Sequence, residues 1–208
     1  MARFRFLYKP VLLLAAVALL WAQQPPPRPR PPKPPGPAIS DIRWQLNATK
    51  PVDVTAKRAL QFSHVYLARA EKVVRSGQLF TADRLAEAAD SLLHIAEHQQ
   101  HLRTGGGPKG PPLAPEIQDH LQRVYFRIQQ ADYFLQQSHD SQAVSFPKWA
   151  RDFYQLALRA YDRKDMVAAD ENAKCAEEVV KALENLAQAA SPANIPPPPR
   201  PPAPPPAH

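Results

Sequence analysis

Apolar residues recur every three or four positions through the middle of the chain, between residues 53 and 190. Five segments follow this spacing, and they begin near Ala59, Leu79, Ile117, Phe146 and Met166. Steps of three and four place apolar side chains on one face of an α-helix, and a repeat close to 3.5 residues is typical of helices packed side by side. No segment has the alternating pattern of a β-strand. The sequence therefore predicts an all-α domain of about five amphipathic, antiparallel helices.

Residues that favour turns and helix ends separate the five segments. Gly77 follows the first segment, and a glycine- and proline-rich stretch, residues 104–114, divides the second from the third as a flexible loop. Ser145 precedes the fourth segment as a candidate N-cap, and residues 163–165 turn the chain into the fifth. These signals define the ends of the predicted helices.

Two proline-rich segments flank the helical domain. Most of the 26 prolines in the chain fall within residues 23–38 and 191–208. Proline fixes φ and has no backbone N–H, so such runs adopt polyproline II rather than helix or sheet. We predict disordered polyproline arms over these two segments, a joining segment at residues 39–52 and the helical domain at residues 53–190.

The N-terminus has the organisation of a signal peptide. The first nine residues contain three basic side chains, the residues from Val11 to Leu20 are all apolar, and Ala22 offers a small residue before a cleavage point. This pattern over residues 1–22 predicts a secreted or periplasmic protein. A bilayer span needs about 20 apolar residues, so we expect no membrane span in the mature chain. A retained signal anchor is the alternative.

The net charge of +7 arises in the N-terminal part of the chain. Residues 1–50 carry eight basic residues and one acidic residue, whereas residues 51–208 carry equal numbers of both. Nucleic-acid binding requires a basic patch on the folded domain itself. The charge distribution therefore disfavours a nucleic-acid partner.

Three histidines lie on one face of the second predicted helix. His94, His98 and His101 step by four and three residues, and imidazoles at this spacing can share a metal ion. His64 or His120 would have to complete the ligand set. The alternative is a polar helix face near a C-terminus, where a cationic histidine is favourable. A helical-bundle protein that binds a metal or a small cofactor is thus the second function that the sequence allows.

The sequence contains no recognisable catalytic motif. The glycine-rich stretch 105–110 lacks the phosphate-loop pattern and follows no predicted strand, and no serine or cysteine has a nucleophile motif around it. Cys175 is the only cysteine, which excludes an internal disulfide, and its position between Ala173 and Ala176 favours a buried apolar role. We therefore predict a protein that is not an enzyme and has no cofactor.

Aromatic residues concentrate between residues 125 and 161. Two adjacent pairs begin at Tyr125 and Tyr133, and neighbouring side chains on a helix diverge by about 100°, so both pairs cannot face a single seam. The candidate partner-binding residues are Tyr125, Phe126, Tyr133, Phe134, Trp149 and Tyr154. They predict a surface for a protein or peptide partner, or for docking of the protein's own proline-rich arms. The alternative is a wider core shared by all five helices.

The first and last helical hairpins match each other at a distance of 87 residues. The identical pairs are Ala70 and Ala157, Ala82 and Ala169, Asp83 and Asp170, Ala86 and Ala173, Ala89 and Ala176, and Glu97 and Glu184. An internal duplication accounts for these identities, and chance matching of alanine-rich helices is the alternative.

Both hairpins resemble tetratricopeptide repeats, which have an aromatic residue in the first helix, a turn glycine and small residues in the second helix. The first hairpin carries this pattern at Tyr66, Ala70, Val73, Gly77, Leu79, Ala82 and Ala89. The second carries it at Phe153, Ala157, Ala160, Met166, Ala169 and Ala176, with Lys164 in place of the turn glycine. The resemblance implies a scaffold with peptide-binding surfaces and no catalytic residue. We therefore expect an exported, non-enzymatic interaction or scaffold module with proline-rich arms.

Overall fold

Helices account for most of the residues that the structure describes. The computed structural model describes residues 39–105 and 112–191. Its α-helices are α1 (Ile39–Ala48), α2 (Val54–Arg75), α3 (Leu79–Thr104), α4 (Ala114–Ile128), α5 (Ala131–Ser138), α6 (Phe146–Asp162) and α7 (Met166–Ala190), and a short 3-10 helix, Ser141–Ala143, precedes α6. The described residues contain no β-strand, so the all-α prediction is confirmed.

Several sequence predictions concern residues outside the described ranges. They are the signal peptide at residues 1–22, the first arm at 23–38, the middle of the loop at 104–114, and all but the first residue of the segment 191–208. Among the helices that the structure describes, none is both long enough and apolar enough to cross a bilayer.

Helix α7 is the central element of the fold. It buries thirteen of its 25 residues, more than any other described helix. It packs against α3, α4, α5 and α6, while α2 packs against α3 and α1 packs against both of these. The hydrophobic core therefore surrounds the last helix that the structure describes.

Polar contacts define the direction of α3 relative to α7. In the first turns of α3, Nη1 of Arg84 lies 3.3 Å from Oε1 of Gln188 near the end of α7. Near the other end of α3, Nδ1 of His98 lies 2.8 Å from Oε2 of Glu171, in the first turns of α7. The two helices are therefore antiparallel.

Small residues let α3 and α7 pack closely. The buried alanines are Ala82, Ala86, Ala88, Ala89 and Ala96 in α3 and Ala169, Ala173, Ala176, Ala182 and Ala187 in α7. Cys175 is also buried and accepts a hydrogen bond from Nε2 of Gln99 at 3.3 Å. Burial raises the pKa of the Cys175 thiol well above its usual range. The expected buried role of this cysteine is confirmed.

The first helices of the two hairpins end in the same hydrogen-bonded turn, 87 residues apart. In each turn one N–H donates to the carbonyl three residues back, and the next N–H donates to the carbonyl five residues back, as in the Schellman motif. The donors are Gly77 and Gln78 in the first hairpin and Lys164 and Asp165 in the second. Gly77 and Lys164 both have left-handed backbone conformations, with φ of 77° and 65°.

We expect Lys164→Gly to raise the free energy of unfolding by about 0.5 kcal/mol and Gly77→Ala to lower it by about 1 kcal/mol. A residue with a Cβ is strained in the left-handed conformation, and glycine is not. Glycine loses more chain entropy on folding, which offsets part of the stability that it gains from the absence of strain. A Cβ at position 77 would meet no atom within 4 Å, so the backbone alone sets the cost there. Urea denaturation followed by circular dichroism measures both changes. A loss of stability in Lys164→Gly would contradict the left-handed turn.

Helix α1 lies in the segment that the sequence analysis treated as a joining segment. Ile42 and Leu46 are buried in the common core. Ile39 precedes Ile42 by three residues and packs against the same core, and Leu46 follows Ile42 by four, so a helical spacing was present in the sequence. Trp44 lies on the other side of the helix and is 73% exposed. The helical body therefore begins before residue 53.

The third predicted helix is two helices, α4 and α5. Between them the N–H of Gln130 donates to the carbonyl of Arg127, three residues back rather than four. A tightened turn of this kind rotates the residues that follow it. Phe134 is consequently buried and Leu135 only half-buried, whereas a continuous helix would place Leu135 on the seam.

Side-chain caps begin two of the long helices. Carboxylates of Asp53 and Asp165 accept hydrogen bonds from backbone N–H groups in the first turns of α2 and α7, at 2.7 and 3.0 Å. Ser145 occupies the predicted N-cap position of α6, but its side chain does not cap that helix. Its Oγ instead accepts a hydrogen bond from Nη2 of Arg58 in α2, at 2.8 Å.

Candidate functional site

Histidines, carboxylates and one lysine form a cluster where α7 meets α3 and α4. The members are His98 and His101 from α3, His120 from α4, and Asp170, Glu171, Lys174 and Glu177 from α7. Residues three or four apart on a helix are neighbours on its surface, which brings the four α7 residues together. We call this group the histidine–carboxylate cluster.

Glu171 is the buried centre of this cluster, with its side chain only 3% exposed. Its Oε2 lies 2.8 Å from Nδ1 of His98 and 3.2 Å from Nδ1 of His101. Its other oxygen accepts a hydrogen bond from Nζ of Lys174 at 2.8 Å. Burial alone would raise the pKa of Glu171, but the hydrogen bonds with His98 and Lys174 outweigh it and lower the pKa to about 2. The carboxylate is therefore ionised at neutral pH.

His120 joins α4 to α7 through two carboxylates. Its Nδ1 lies 3.0 Å from Oδ1 of Asp170, and its Nε2 lies 3.3 Å from Oε2 of Glu177. Hydrogen bonds to these carboxylates raise the pKa of His120 to about 9 against the opposing effect of burial. The hydrogen bond to His120 lowers the pKa of Glu177 to about 2. His120 is therefore a cation between two anions at neutral pH.

Lys174 links the two halves of the cluster. Its Nζ lies 2.6 Å from Oδ2 of Asp170 and 2.8 Å from Oε1 of Glu171. Burial would lower the pKa of Lys174, but hydrogen bonds to both carboxylates outweigh this effect and raise it. The charged lysine therefore fixes the orientation of both carboxylates.

The structure brings together two of the three histidines that the sequence indicates as metal ligands. A ring nitrogen of His98, a ring nitrogen of His101 and a carboxylate oxygen of Glu171 all lie within 4.8 Å of one another. His94 is not part of this group. It lies one turn before His98 on α3, and its Nε2 lies 3.9 Å from Oε2 of Glu97.

Glu171 is the candidate ligand that sequence reasoning missed. It lies on another helix, 70 residues after His101, and only the antiparallel packing of α3 against α7 brings the two together. The histidines expected to complete the ligand set lie elsewhere. His64 is exposed on α2, and His120 contacts Asp170 and Glu177, which lies two turns further along α7.

The opposite end of the α3–α7 pair holds a polar cluster at equivalent positions. At a shift of 87 residues, the equivalent pairs are Arg84 and Glu171, His98 and Asn185, and His101 and Gln188. Nη1 of Arg84 lies 3.4 Å from Oδ1 of Asn185 and 3.3 Å from Oε1 of Gln188, which reproduces the pattern of Glu171 with its two histidines. Contacts between α3 and α7 are therefore repeated at equivalent positions of the two hairpins.

The six candidate partner-binding residues make contacts within the helical body. Phe134 and Trp149 are buried, and the other four are half-buried. The ring centroids of Tyr125 and Tyr154 lie 6.1 Å apart, and those of Trp149 and Phe153 lie 5.5 Å apart. This packing agrees with the wider core considered from the sequence and leaves part of four rings accessible.

An open groove, which we call the α2 groove, runs along the outer face of α2. It has a volume of about 630 Å³ and is lined by Val54, Lys57, Arg58, Gln61, Phe62, Val65 and Gln142. The guanidinium carbon of Arg58 lies 5.7 Å from the ring centroid of Phe62 and 5.5 Å from that of Trp149, within cation–π range. The groove therefore contains a cation held over aromatic rings, and no carboxylate is among the described residues that line it.

Known proteins add no assignment to these sites. No model of a protein family matches the chain, and neither does any curated protein or solved structure. The resemblance of the hairpins to tetratricopeptide repeats therefore stays a prediction.

Proposed function

We propose that this protein is an exported, non-enzymatic interaction module whose helical body binds an extended acidic segment of a partner protein. The α2 groove carries this proposal, because it combines accessible apolar side chains with Lys57 and Arg58 and has no carboxylate in its lining. Covered apolar surface supplies binding free energy, and the cations select the charge of the ligand. The partner segment therefore alternates aliphatic and acidic residues. The signal-peptide pattern of residues 1–22 supports export.

Arg58 is preorganised to bind a carboxylate. Its contacts with Ser145, Phe62 and Trp149 hold the guanidinium in one place before any ligand arrives. A side chain that is already ordered loses less entropy on binding. The planar guanidinium has further N–H donors for a two-point contact with a carboxylate.

Apolar side chains extend along the α2 groove beside these cations. Val54 is 83% exposed, and Phe62 and Val65 are half-buried. A ligand that covers them removes apolar surface from water at roughly 25 cal/mol per Å². A groove of about 630 Å³ accommodates only a short segment, so we expect an affinity in the micromolar range or weaker.

The proline-rich arms are proposed to be spacers on either side of the helical body. The first arm carries Arg28, Arg30 and Lys33, whose positive charges are unfavourable beside Lys57 and Arg58. Polyproline II segments are extended and semi-rigid, which suits a spacer. Docking of an arm on the aromatic residues of α4 to α6 is the competing prediction.

The fluorescence of Trp149 tests this proposal. Trp44→Phe leaves Trp149 as the only tryptophan of a chain without residues 1–22. We expect a peptide of alternating Glu and Val to shift its emission with a micromolar dissociation constant, because the ligand changes the surroundings of Arg58 above the indole. Arg58→Glu should weaken binding at least tenfold, since it replaces attraction with repulsion.

Matched peptides and a matched variant separate the alternatives. Arg151→Glu is the control, since Arg151 is an exposed arginine of α6 whose Nη1 contacts Asp132 at 2.9 Å, and it should bind the acidic peptide normally. A peptide of alternating Lys and Val should not bind. Equal binding of both peptides, or no response at millimolar concentration, would contradict the proposal. A response to the peptide of residues 23–38 that is insensitive to Arg58→Glu would favour arm docking.

A further inference from the structure

Independently of peptide recognition, we propose that His98, His101 and Glu171 form a Zn²⁺ site that joins the end of α3 to the beginning of α7. The three residues offer two imidazole nitrogens and one carboxylate oxygen, all within 4.8 Å of one another. Two histidines and one glutamate are an established ligand set for zinc, with water in the fourth position. Glu171 and its neighbours Asp170 and Lys174 belong to α7, whereas both histidines belong to α3.

The distances between the ligand atoms are close to those that zinc requires. Nδ1 of His98 and Nδ1 of His101 lie 2.8 and 3.2 Å from Oε2 of Glu171. Bonds of about 2.0–2.1 Å in a tetrahedron place ligand atoms about 3.3 Å apart. The two distances to Glu171 therefore lie within a few tenths of an ångström of those in a coordination shell, and the two ring nitrogens lie within 4.8 Å of each other. The two imidazole rings lie 6.0 Å apart at 69°, so neither ring blocks the other.

The surroundings of Glu171 fix the oxygen that faces the histidines. Nζ of Lys174 lies 2.8 Å from Oε1 and leaves Oε2 for the metal. Asp170 lies 2.6 Å from the same ammonium group and compensates its charge. A metal ligand held by such neighbouring groups is preorganised. The side chains of His98 and His101 are 17% and 35% exposed, which gives an ion a route from solvent.

The equivalent positions at the other end of the α3–α7 pair provide an internal comparison. At the equivalent positions Arg84 contacts Asn185 and Gln188, none of which is a zinc ligand at neutral pH. The chain therefore closes the equivalent junction without histidines, through Arg84 and its contacts with Glu87, Asn185 and Gln188. Packing of α3 against α7 alone does not require the His98, His101 and Glu171 combination, whereas metal binding does.

The nature of the donors selects zinc over hard cations. Ca²⁺ and Mg²⁺ prefer shells of six or more oxygen atoms, and this site supplies one carboxylate oxygen. Imidazole nitrogens suit Zn²⁺ and other late transition metals. Zn²⁺ also accepts a four-coordinate shell with one water, which three protein ligands leave open.

Calorimetric titration of the metal-free full chain, without an affinity tag, tests this site. We expect one Zn²⁺ per chain with a dissociation constant in the micromolar range or tighter, and no heat with Mg²⁺. His101→Ala and Glu171→Gln should each weaken binding at least tenfold. Two control variants should bind normally. His94→Ala removes a ligand expected from the sequence alone, and Gln188→Ala removes the residue equivalent to His101 at the shift of 87 residues.

Side-chain NMR of the wild-type protein locates the ion without any substitution. Zn²⁺ should shift the imidazole resonances of His98 and His101 and leave those of His64 unchanged. Circular dichroism verifies that each variant is folded, and His101 lies in the last turn of α3, where its side chain is 35% exposed. Absence of stoichiometric binding to the wild type would overturn the proposal. Loss of binding in His94→Ala together with normal binding in His101→Ala would do the same.

Discussion

Replacing Leu183 with alanine is expected to lower the free energy of unfolding by about 3 kcal/mol. Leu183 is fully buried in α7, and α7 packs against four other helices. Truncation removes apolar atoms from the core and leaves a cavity that the surrounding helices fill only in part. Urea denaturation followed by circular dichroism measures the change.

Leu79→Ala is the matched control for this substitution. Leu79 is 68% exposed at the first residue of α3, so we expect a change smaller than about 0.5 kcal/mol. Comparable losses in both variants, or a loss below about 1 kcal/mol for Leu183→Ala, would be inconsistent with the central position of α7.

The free energy of unfolding is expected to fall by about 3 kcal/mol between pH 6.5 and pH 9, because His120 loses its proton over this range. Contacts with Asp170 and Glu177 raise the pKa of His120 from 6.5 to about 9 on folding. A raised histidine pKa contributes stability that is fully present below the unfolded pKa and is lost as the pH rises through the folded pKa. Each unit of difference corresponds to about 1.4 kcal/mol.

Acid weakens the same cluster through its carboxylates. Folding lowers the pKa of Glu171 and of Glu177 from 4.5 to about 2. Their contribution is therefore present above pH 4.5 and is lost as the pH falls towards 2. The pKa shifts of His120 and Glu177 arise in part from the same hydrogen bond, so its contribution to the free energy of unfolding is counted once. Stability should therefore be greatest between about pH 5 and pH 6.5.

Urea denaturation across this pH range, with a chelator present to exclude metal ions, distinguishes His120 from other groups. His120→Gln should have nearly constant stability between pH 6.5 and pH 9, since no proton is then released from this site. His64→Gln alters an exposed histidine of α2 and should retain the alkaline loss. An alkaline loss that persists in His120→Gln would assign it to another residue.

Local chemistry made much of the helical architecture predictable. Gly77 and Ser145 mark helix boundaries in the sequence, and the apolar spacing identified the seams of the long helices. The break between α4 and α5 was not predictable in the same way, because neither glycine nor proline occurs at Gln129 and Gln130. The break lets Phe134 face the core, whereas a continuous helix would place Leu135 there. The spacing of apolar residues in the sequence does not show which of the two arrangements is more stable.

The candidate metal ligands were only partly predictable for a related reason. His98 and His101 are close in sequence, so helical geometry alone places them on one face. Glu171 joins them through the antiparallel packing of two helices that are far apart in the chain. A single sequence gives the composition of each helix face but not which faces meet. The grouping of His98 with Glu171 rather than with His94 therefore required the three-dimensional structure.

The position of α7 has a consequence for how the protein is made. Ribosomes deliver α7 after every helix that packs against it, so α4, α5 and α6 lack their common neighbour until about residue 190 has been synthesised. Among the described helices, α2 and α3 form the most extensive contact that precedes α7. The nascent chain therefore completes its core late, and its apolar faces stay open to chaperones during synthesis. Late completion also suits the proposed export, because a chain threaded through a narrow translocation channel has to remain unfolded until it has passed.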